Sequence, residues 1–311
     1  TSVIQADFVN PIKEIGKLEL GYKTILRGWD NDFIGENLSL PENIWRYDST
    51  RSNHFIYDEQ VHAVYGSFAG QYKDWGIQAG LRIEQTFAKS QQLATNQVFH
   101  LDYFSLFPSV HIKRKFPNLH ELSVSYSRRI NRPSLENLNP FFDYSDPYNL
   151  FGGNPFIKPE YTHSAELGYA KYWNWGSLTG SVFYRHTDNN ITRYRTIQPE
   201  GTSITSFVNA NYSYNWGFDL TQQANPIKWM NLTANFSLFQ QQVNGTNLNS
   251  ALTNSTLSWN GKLIASFTFL KKFDLQLNGN YRGPMASPQG IFSPRAGLDV
   301  GVKTEVWKKK V

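Results

Sequence analysis

Arg128, Arg129 and Arg132 lie within five residues of one another beside Asn131, close to the end of an alternating polar and apolar run. A planar guanidinium is always charged and matches the geometry of carboxylates and phosphates, so such a group has two chemical uses. It could hold an anionic ligand or a phosphate at a rim. It could equally form an ion-pair ladder with carboxylates on neighbouring strands, such as Glu84 and Glu166, which is the preferred reading.

Other side chains that could do chemistry do not assemble into a site. The seven histidines fall at 54, 62, 100, 111, 120, 163 and 186, and no pair has the spacing of a helical zinc motif. Asp30-Asn31-Asp32 opens like a calcium loop, but Ile34 stands where an oxygen ligand belongs and no bidentate glutamate follows. Asp143 and Asp146 are loop carboxylates of the same weak kind. Gly66-Ser67-Phe68-Ala69-Gly70 lacks the spacing of a serine nucleophile elbow and lies within a strand pattern. There is no cysteine, which removes thiolate metal sites and cysteine nucleophiles together. No enzymatic activity, catalytic residue, metal site or cofactor is expected.

The elements that would position these residues are strands. Apolar and polar residues alternate in Trp75, Ile77, Ala79, Leu81 and Ile83 against Gly76, Gln78, Gly80, Arg82 and Glu84, and again from Phe273 to Arg282. A third such run extends from Ile204 to Leu220. Further strands read at about 1–9, 17–30, 57–72, 102–116, 119–131, 161–173, 177–189, 229–243, 255–270 and 294–307, making thirteen. Many reach the 9–11 tilted residues, roughly, that cross a bilayer's hydrocarbon core. No strictly apolar run exceeds three residues, so no spanning helix is present in the sequence.

The connections alternate between short and long. Short ones are Pro11 to Gly16, Lys73-Asp74, Pro117-Asn118, Asn174 to Gly176, Asn225 to Lys228 and Lys271-Lys272; long ones cover about 31–56, 90–101, 132–160, 190–203, 244–254 and 283–293. Tight periplasmic turns and long external loops produce this asymmetry in an up-and-down barrel of the outer membrane. Trp75, Phe116, Trp173, Trp175, Trp229, Phe273 and Trp307 lie near the short turns, as an interfacial girdle would, with Trp29, Tyr57, Tyr103 and Tyr281 as a second belt. The fold class is therefore all-β: a transmembrane antiparallel barrel wall occupying residues 1–311. Asn-x-Ser triplets such as Asn211 to Ser213 fall inside strands and read as lumen polarity. The 30 Lys and Arg against 25 Asp and Glu are scattered, so no nucleic-acid partner is expected.

The segment Ser125-Tyr126-Ser127-Arg128-Arg129-Ile130-Asn131-Arg132-Pro133 leads to Leu138-Asn139-Pro140-Phe141. Gly153-Asn154-Pro155-Phe156-Ile157-Lys158-Pro159-Glu160 follows, and Glu166-Leu167-Gly168-Tyr169 lies in the next strand. This pattern resembles the barrel signature of TonB-dependent outer-membrane receptors, in the form found in the outer-membrane β-barrel proteins of Bacteroidota. Phe156 departs from it, since Asn or Asp is usual there.

The resemblance implies a barrel of about 22 strands enclosing a plug. Thirteen strands without a plug-like segment, ending Trp307-Lys308-Lys309-Lys310-Val311, lead to the expectation that plug and closing strands lie outside this chain. The implied function is energised uptake of an unidentified ligand, with TonB of the inner membrane contacted through the plug. The alternative is a receptor-like barrel acting as a scaffold in an outer-membrane complex; a passive porin ranks third. Implied partners are outer-membrane lipid and lipopolysaccharide, and a surface lipoprotein or other outer-membrane subunits. Arg128, Arg129, Arg132, Pro133, Asn139, Pro140, Gly153, Asn154, Pro155, Pro159, Glu160 and Glu166 carry the motif in structural roles. Pro159 and Glu160 fix the descent into the strand, and Gly152-Gly153 is expected to supply a positive-φ turn. Phe141, Phe142, Tyr144, Tyr148 and Phe151 could stack on a ligand, though a loop this long needs a small core of its own, and self-packing is the preferred reading.

Overall fold

A computed structural model describes residues 1–13, 15–269 and 273–304. The expected turn Lys271-Lys272, the girdle residue Trp307 and the lysines after it lie outside the described residues. The elements are β1 (Ser2–Ile12), β2 (Gly16–Phe33), β3 (Glu36–Ser39), β4 (Ile44–Tyr47), β5 (Asn53–Tyr72), β6 (Trp75–Gln92), β7 (Gln97–Phe116), β8 (His120–Asn131), α1 (Leu135–Leu138) and β9 (Asn149–Phe151). They continue with β10 (Glu160–Trp173), β11 (Gly176–Ile197), β12 (Ser203–Ile227), β13 (Met230–Asn244), β14 (Thr253–Phe269), β15 (Phe273–Arg282), β16 (Met285–Ser287), β17 (Gly290–Phe292) and β18 (Arg295–Thr304). Thirteen of the strands pair antiparallel, neighbour to neighbour in chain order, from β1 to β18.

Register turns the alternation into two faces, because directly opposed residues point the same way. Leu122, Val124 and Tyr126 of β8 oppose Tyr169, Leu167 and Ala165 of β10, which oppose Gly180, Val182 and Tyr184 of β11. These in turn meet Leu220, Phe218 and Trp216 of β12. Val182 is 62% exposed and Leu167 52%, which is unfavourable in water and favourable against lipid. The opposite parity carries Ser123, Ser125, Ser127 and Arg129 against Gly168, Glu166, Ser164 and Thr162. That face is the lumen wall.

Both aromatic belts exist, with one correction. Trp75, Phe116, Trp173, Trp229 and Phe273 flank the short turns. At the other end the outward aromatics are Tyr126, Tyr184, Trp216, Trp259 and Tyr281. Trp29, Tyr57 and Tyr103 belong to the lumen side instead. Trp29 opposes Tyr57, and Tyr57 donates to the lumenal Glu59 at 3.3 Å.

Two expected long loops are short. Only 93–96 separates β6 from β7 and 198–202 separates β11 from β12, because the strands run on past the apolar band as projecting ribbons. Water bathes both sides there, so backbone pairing suffices and the apolar alternation that marks a membrane strand disappears. Segments rich in Gln, Thr, Asn and Arg therefore hid their strand character. The loops also contain structure of their own: the hairpins β3–β4 and β16–β17, the single turn α1, and β9.

Candidate functional site

The loop between β8 and β10 is folded into the mouth of the wall. β12 pairs with β13 only up to Tyr212, and in the projecting part β9 takes that edge, pairing parallel at Ser203, Ile204 and Thr205. Leu138 and Ile157 from the loop pack with Phe55 of β5 and Phe207 of β12, and Tyr57, Phe151 and Ile191 close around them. The loop thus ties together strands that lie far apart in the sheet.

The motif residues make this tie. Asn139 Oδ1 accepts from Asn53 Nδ2 at 3.0 Å and from the Phe141 amide at 3.2 Å. Asn154 Nδ2 donates to the Phe207 carbonyl at 3.0 Å, and its amide to the Asn137 carbonyl at 2.6 Å. Buried Glu160 accepts from Asn131 Nδ2 (2.6 Å), Asn190 Nδ2 (2.8 Å) and the Ile191 amide (2.5 Å), so its position at the head of β10 locks three strands. Pro159 is buried beside it, and Pro133 and Pro155 line a small gap next to Arg132. Pro140 is half-buried.

Gly152 and Gly153 do not take the positive φ expected of them. The need at Gly153 is close approach: a Cβ there would lie 2.5–2.7 Å from the carbonyl oxygens of Asn139, Asn137 and Glu136. Gly153→Ala is therefore expected to dislodge the loop, lowering amide-exchange protection at 137–154 while the amides of β10 and β11 stay protected. Unchanged protection in the loop would contradict this.

The three motif arginines separate onto different surfaces. Arg128 points outward, its guanidinium 4.3 Å from the Tyr161 ring and donating to the Leu106 carbonyl at 2.7 Å. Arg129 is exposed on the lumen face. Arg132 turns inward and is the centre of a buried ladder: Nη2 lies 2.6 Å from Glu84 and Nε 3.6 Å from Glu59. Arg82 continues it to Glu84 at 2.5 Å and Arg27 to Glu59 at 2.8 Å. Tyr103 Oη accepts from Arg132 Nε and Thr86 Oγ1 from Nη2. Glu166 lies on the lumen face opposite Ser125 and Phe183, away from the ladder.

Glu59, Arg27 and Arg82 were not singled out from sequence. Arg82 lies on the polar parity of its strand, but Glu59 alternates with Phe55, Tyr57, Val61 and Ala63 while Asp58, Gln60 and His62 take the other face, so local pattern hides it and only register shows which arginine it meets. Arg193 and Arg195 were also missed. Arg193 lies over Phe151 and Phe207 at 5.1 and 5.6 Å, and Arg195 donates to Asn149 and to Ser203 Oγ.

Among the candidate aromatics, Phe151 packs edge-on to Phe207 and Phe141 lies 5.6 Å from Phe33, while Phe142 is half-buried against Gly152. Tyr144 and Tyr148 remain open, Tyr148 at 73% exposure. A cleft of about 360 Å³ is lined by Asn31, Phe33, Asn53, Glu136, Asn139 and Phe141 among others, and neither tyrosine is part of its lining. It offers amides, carboxylates and aromatic faces together. Among the described residues no cluster of His, Asp and Glu is arranged for a metal ion.

Asp143 and Asp146 organise the exposed tip. The Ser145 amide holds the Asp143 carboxyl below its ordinary pKa, and the Asn149 side chain does the same for Asp146. A carboxylate with a depressed folded pKa stabilises the fold above its unfolded pKa and loses that contribution as pH falls through the folded value. Exchange at 143–149, corrected for intrinsic rate, should accelerate in acid below the normal aspartate range; a flat profile would exclude these contacts as the tip's fasteners.

A family model described as "Outer membrane protein beta-barrel family" matches residues 1–311. No curated protein matches the chain. Among solved structures, the chain is similar to the siderophore receptor PirA from Pseudomonas aeruginosa, with 9% identity and a TM-score of 0.53 over 98% of this chain and 65% of that one. The ferric-catecholate import receptor Fiu from K12 E. coli gives 11% and 0.66, covering 98% of this chain and 48% of that one. BauA, the ferric preacinetobactin receptor from Acinetobacter baumannii, gives 16% and 0.60, with 98% and 47% covered. This chain spans about half the length of the last two. At these identities the likeness is one of fold.

Proposed function

The chain belongs to the outer membrane protein beta-barrel family and crosses the bacterial outer membrane with its strands, and from that premise we propose that it forms part of an energised uptake receptor for a ligand not yet identified. The observation that carries this reading is the loop 132–160, tied across the mouth of a polar wall by a buried ion ladder and a small apolar core. A passive pore needs an open mouth, whereas a receptor needs a covered one with a capture cleft beside it. The cleft lined by Phe33, Phe141 and Asn139 is that capture surface, and its amides and aromatic faces suit a ligand rich in hydroxyl groups.

Among the described residues β1 and β18 are each paired on one side only. Lipid cannot satisfy such edges. On this reading the wall is part of a closed barrel of about 22 strands, with a lumen wide enough for a plug through which TonB delivers energy. The likeness in fold to PirA, Fiu and BauA, each a receptor, supports this reading.

The test compares solutes removed from the medium by cells with and without the gene, in the presence and absence of a protonophore. Gene-dependent depletion of a solute that stops with the protonophore is the expected result. Gene-dependent depletion that persists would favour a porin. Identical media, with other outer-membrane proteins retained on the purified barrel, would favour the scaffold reading.

A further inference from the structure

The lumen face and loop account for most charged groups of the wall, but one cationic patch lies on the face turned to lipid. Arg114 of β7 opposes the outward Trp75, and its guanidinium lies 5.1 Å from that ring and 4.7 Å from the Phe116 ring. His120 of β8 opposes both Phe116 and Lys171 of β10. Lys171 Nζ donates to His120 Nε2 at 2.8 Å and to the Asn118 carbonyl, so the imidazole proton sits on Nδ1, which donates to Tyr169 Oη at 2.5 Å.

These groups sit at the short-turn end of the apolar band, the level of the periplasmic leaflet's headgroups. Neither Arg114 nor Lys171 has a carboxylate partner among the described residues. Glu121, nearest in sequence, opposes Lys115 and Ala170 on the lumen face. At the same end of β14 and β15 the outward residues are Phe267, Phe269 and Phe273, which carry no charge. Among the described strand residues, the outward-facing cations at this end are thus those of β7 and β10.

We propose that Arg114 and Lys171, with His120 positioning Lys171 and with Trp75, Phe116 and Tyr169 framing them, bind the phosphate of a periplasmic-leaflet phospholipid. Arg114 and Lys171 flank β8, opposing Leu122 and His120 respectively, so their backbones lie about 12 Å apart, two strand spacings across and two residues along, which leaves a phosphate diester room between two long donors. His120 holds Lys171 and Tyr169 in place. The aromatic rings meet the upper acyl chains, whose attachment distinguishes a lipid from a free anion. The site is independent of the uptake reading, since a porin or scaffold would carry it equally.

The test uses the whole protein extracted from its membrane, delipidated, and examined by native mass spectrometry after adding phosphatidylglycerol, a phosphate-free galactosyl diacylglycerol, or phosphatidylglycerol with excess inorganic phosphate. Preferential retention of phosphatidylglycerol is expected, and Arg114→Gln with Lys171→Gln should reduce it about tenfold at unchanged melting temperature. Lys171→Gln alone should give a partial loss, and Lys89→Gln, on the outward face near the other rim, none. Equal retention of the phosphate-free lipid, or wild-type retention by the double variant, would overturn the proposal. Displacement by inorganic phosphate would show a free-anion site and overturn the lipid assignment.

Discussion

Arg132→Ala is expected to destabilise the protein by about 3–5 kcal/mol, the scale on which removing one member of a buried ion network leaves the others uncompensated. Glu59 and Glu84 have side-chain exposures of only 3% and 6%, and Arg132 bridges them. Without it two carboxylates face each other across a desolvated space, and Arg27 and Arg82 reach only one each. The cost lies mainly in those unpaired charges and less in the lost attraction. Adding Glu59→Gln and Glu84→Gln to Arg132→Ala should therefore recover much of the stability. Thermal melting of the extracted protein decides this: a single variant within about 1 kcal/mol of wild type, as for an exposed pair, would show that the ladder is solvated.

Ile157→Ala acts on the other fastener of the same loop. Ile157 is 1% exposed and packs with Phe55, Leu138 and Phe207. Truncating a buried isoleucine costs about 2–5 kcal/mol through lost burial and the cavity left behind. Here the loss should appear as local opening, because of β10 to β13 the cluster touches only the projecting part of β11 and β12, and most of the pairing of these strands lies beyond it. Protease cleavage within 141–150 should rise sharply while far-ultraviolet circular dichroism keeps the full strand signal. Loss of strand signal would mean that the loop core holds up the wall itself.

These two residues illustrate how far the sequence could be read. The alternation from Trp75 to Glu84 or Phe273 to Arg282 exposes strand, face and membrane together, because lipid on one side and water on the other impose a period of two. The projecting halves of β11 and β12 have water on both sides and lose that mark, so 190–203 read as a loop. Register is not written locally. The pairing of Arg132 with Glu84 was open to reasoning from charge and parity, but Glu59 and Arg27 join the ladder only because β2 and β5 are aligned Arg27 to Glu59. The positive φ expected at Gly153 is absent; three carbonyls brought to it by the loop's own fold leave no space for a Cβ, a constraint that no local sequence signal carries.

One face of this sheet meets lipid and the other an aqueous lumen. The chain contains no cysteine, so single cysteines can be placed along β10 from Tyr161 to Trp173 without a background. In intact outer membranes, Thr162, Ser164, Glu166 and Gly168 positions should react with a water-soluble maleimide, and Ala165, Leu167 and Tyr169 positions should not. Reaction without a period of two, or with the parity reversed, would contradict the assignment of the two faces.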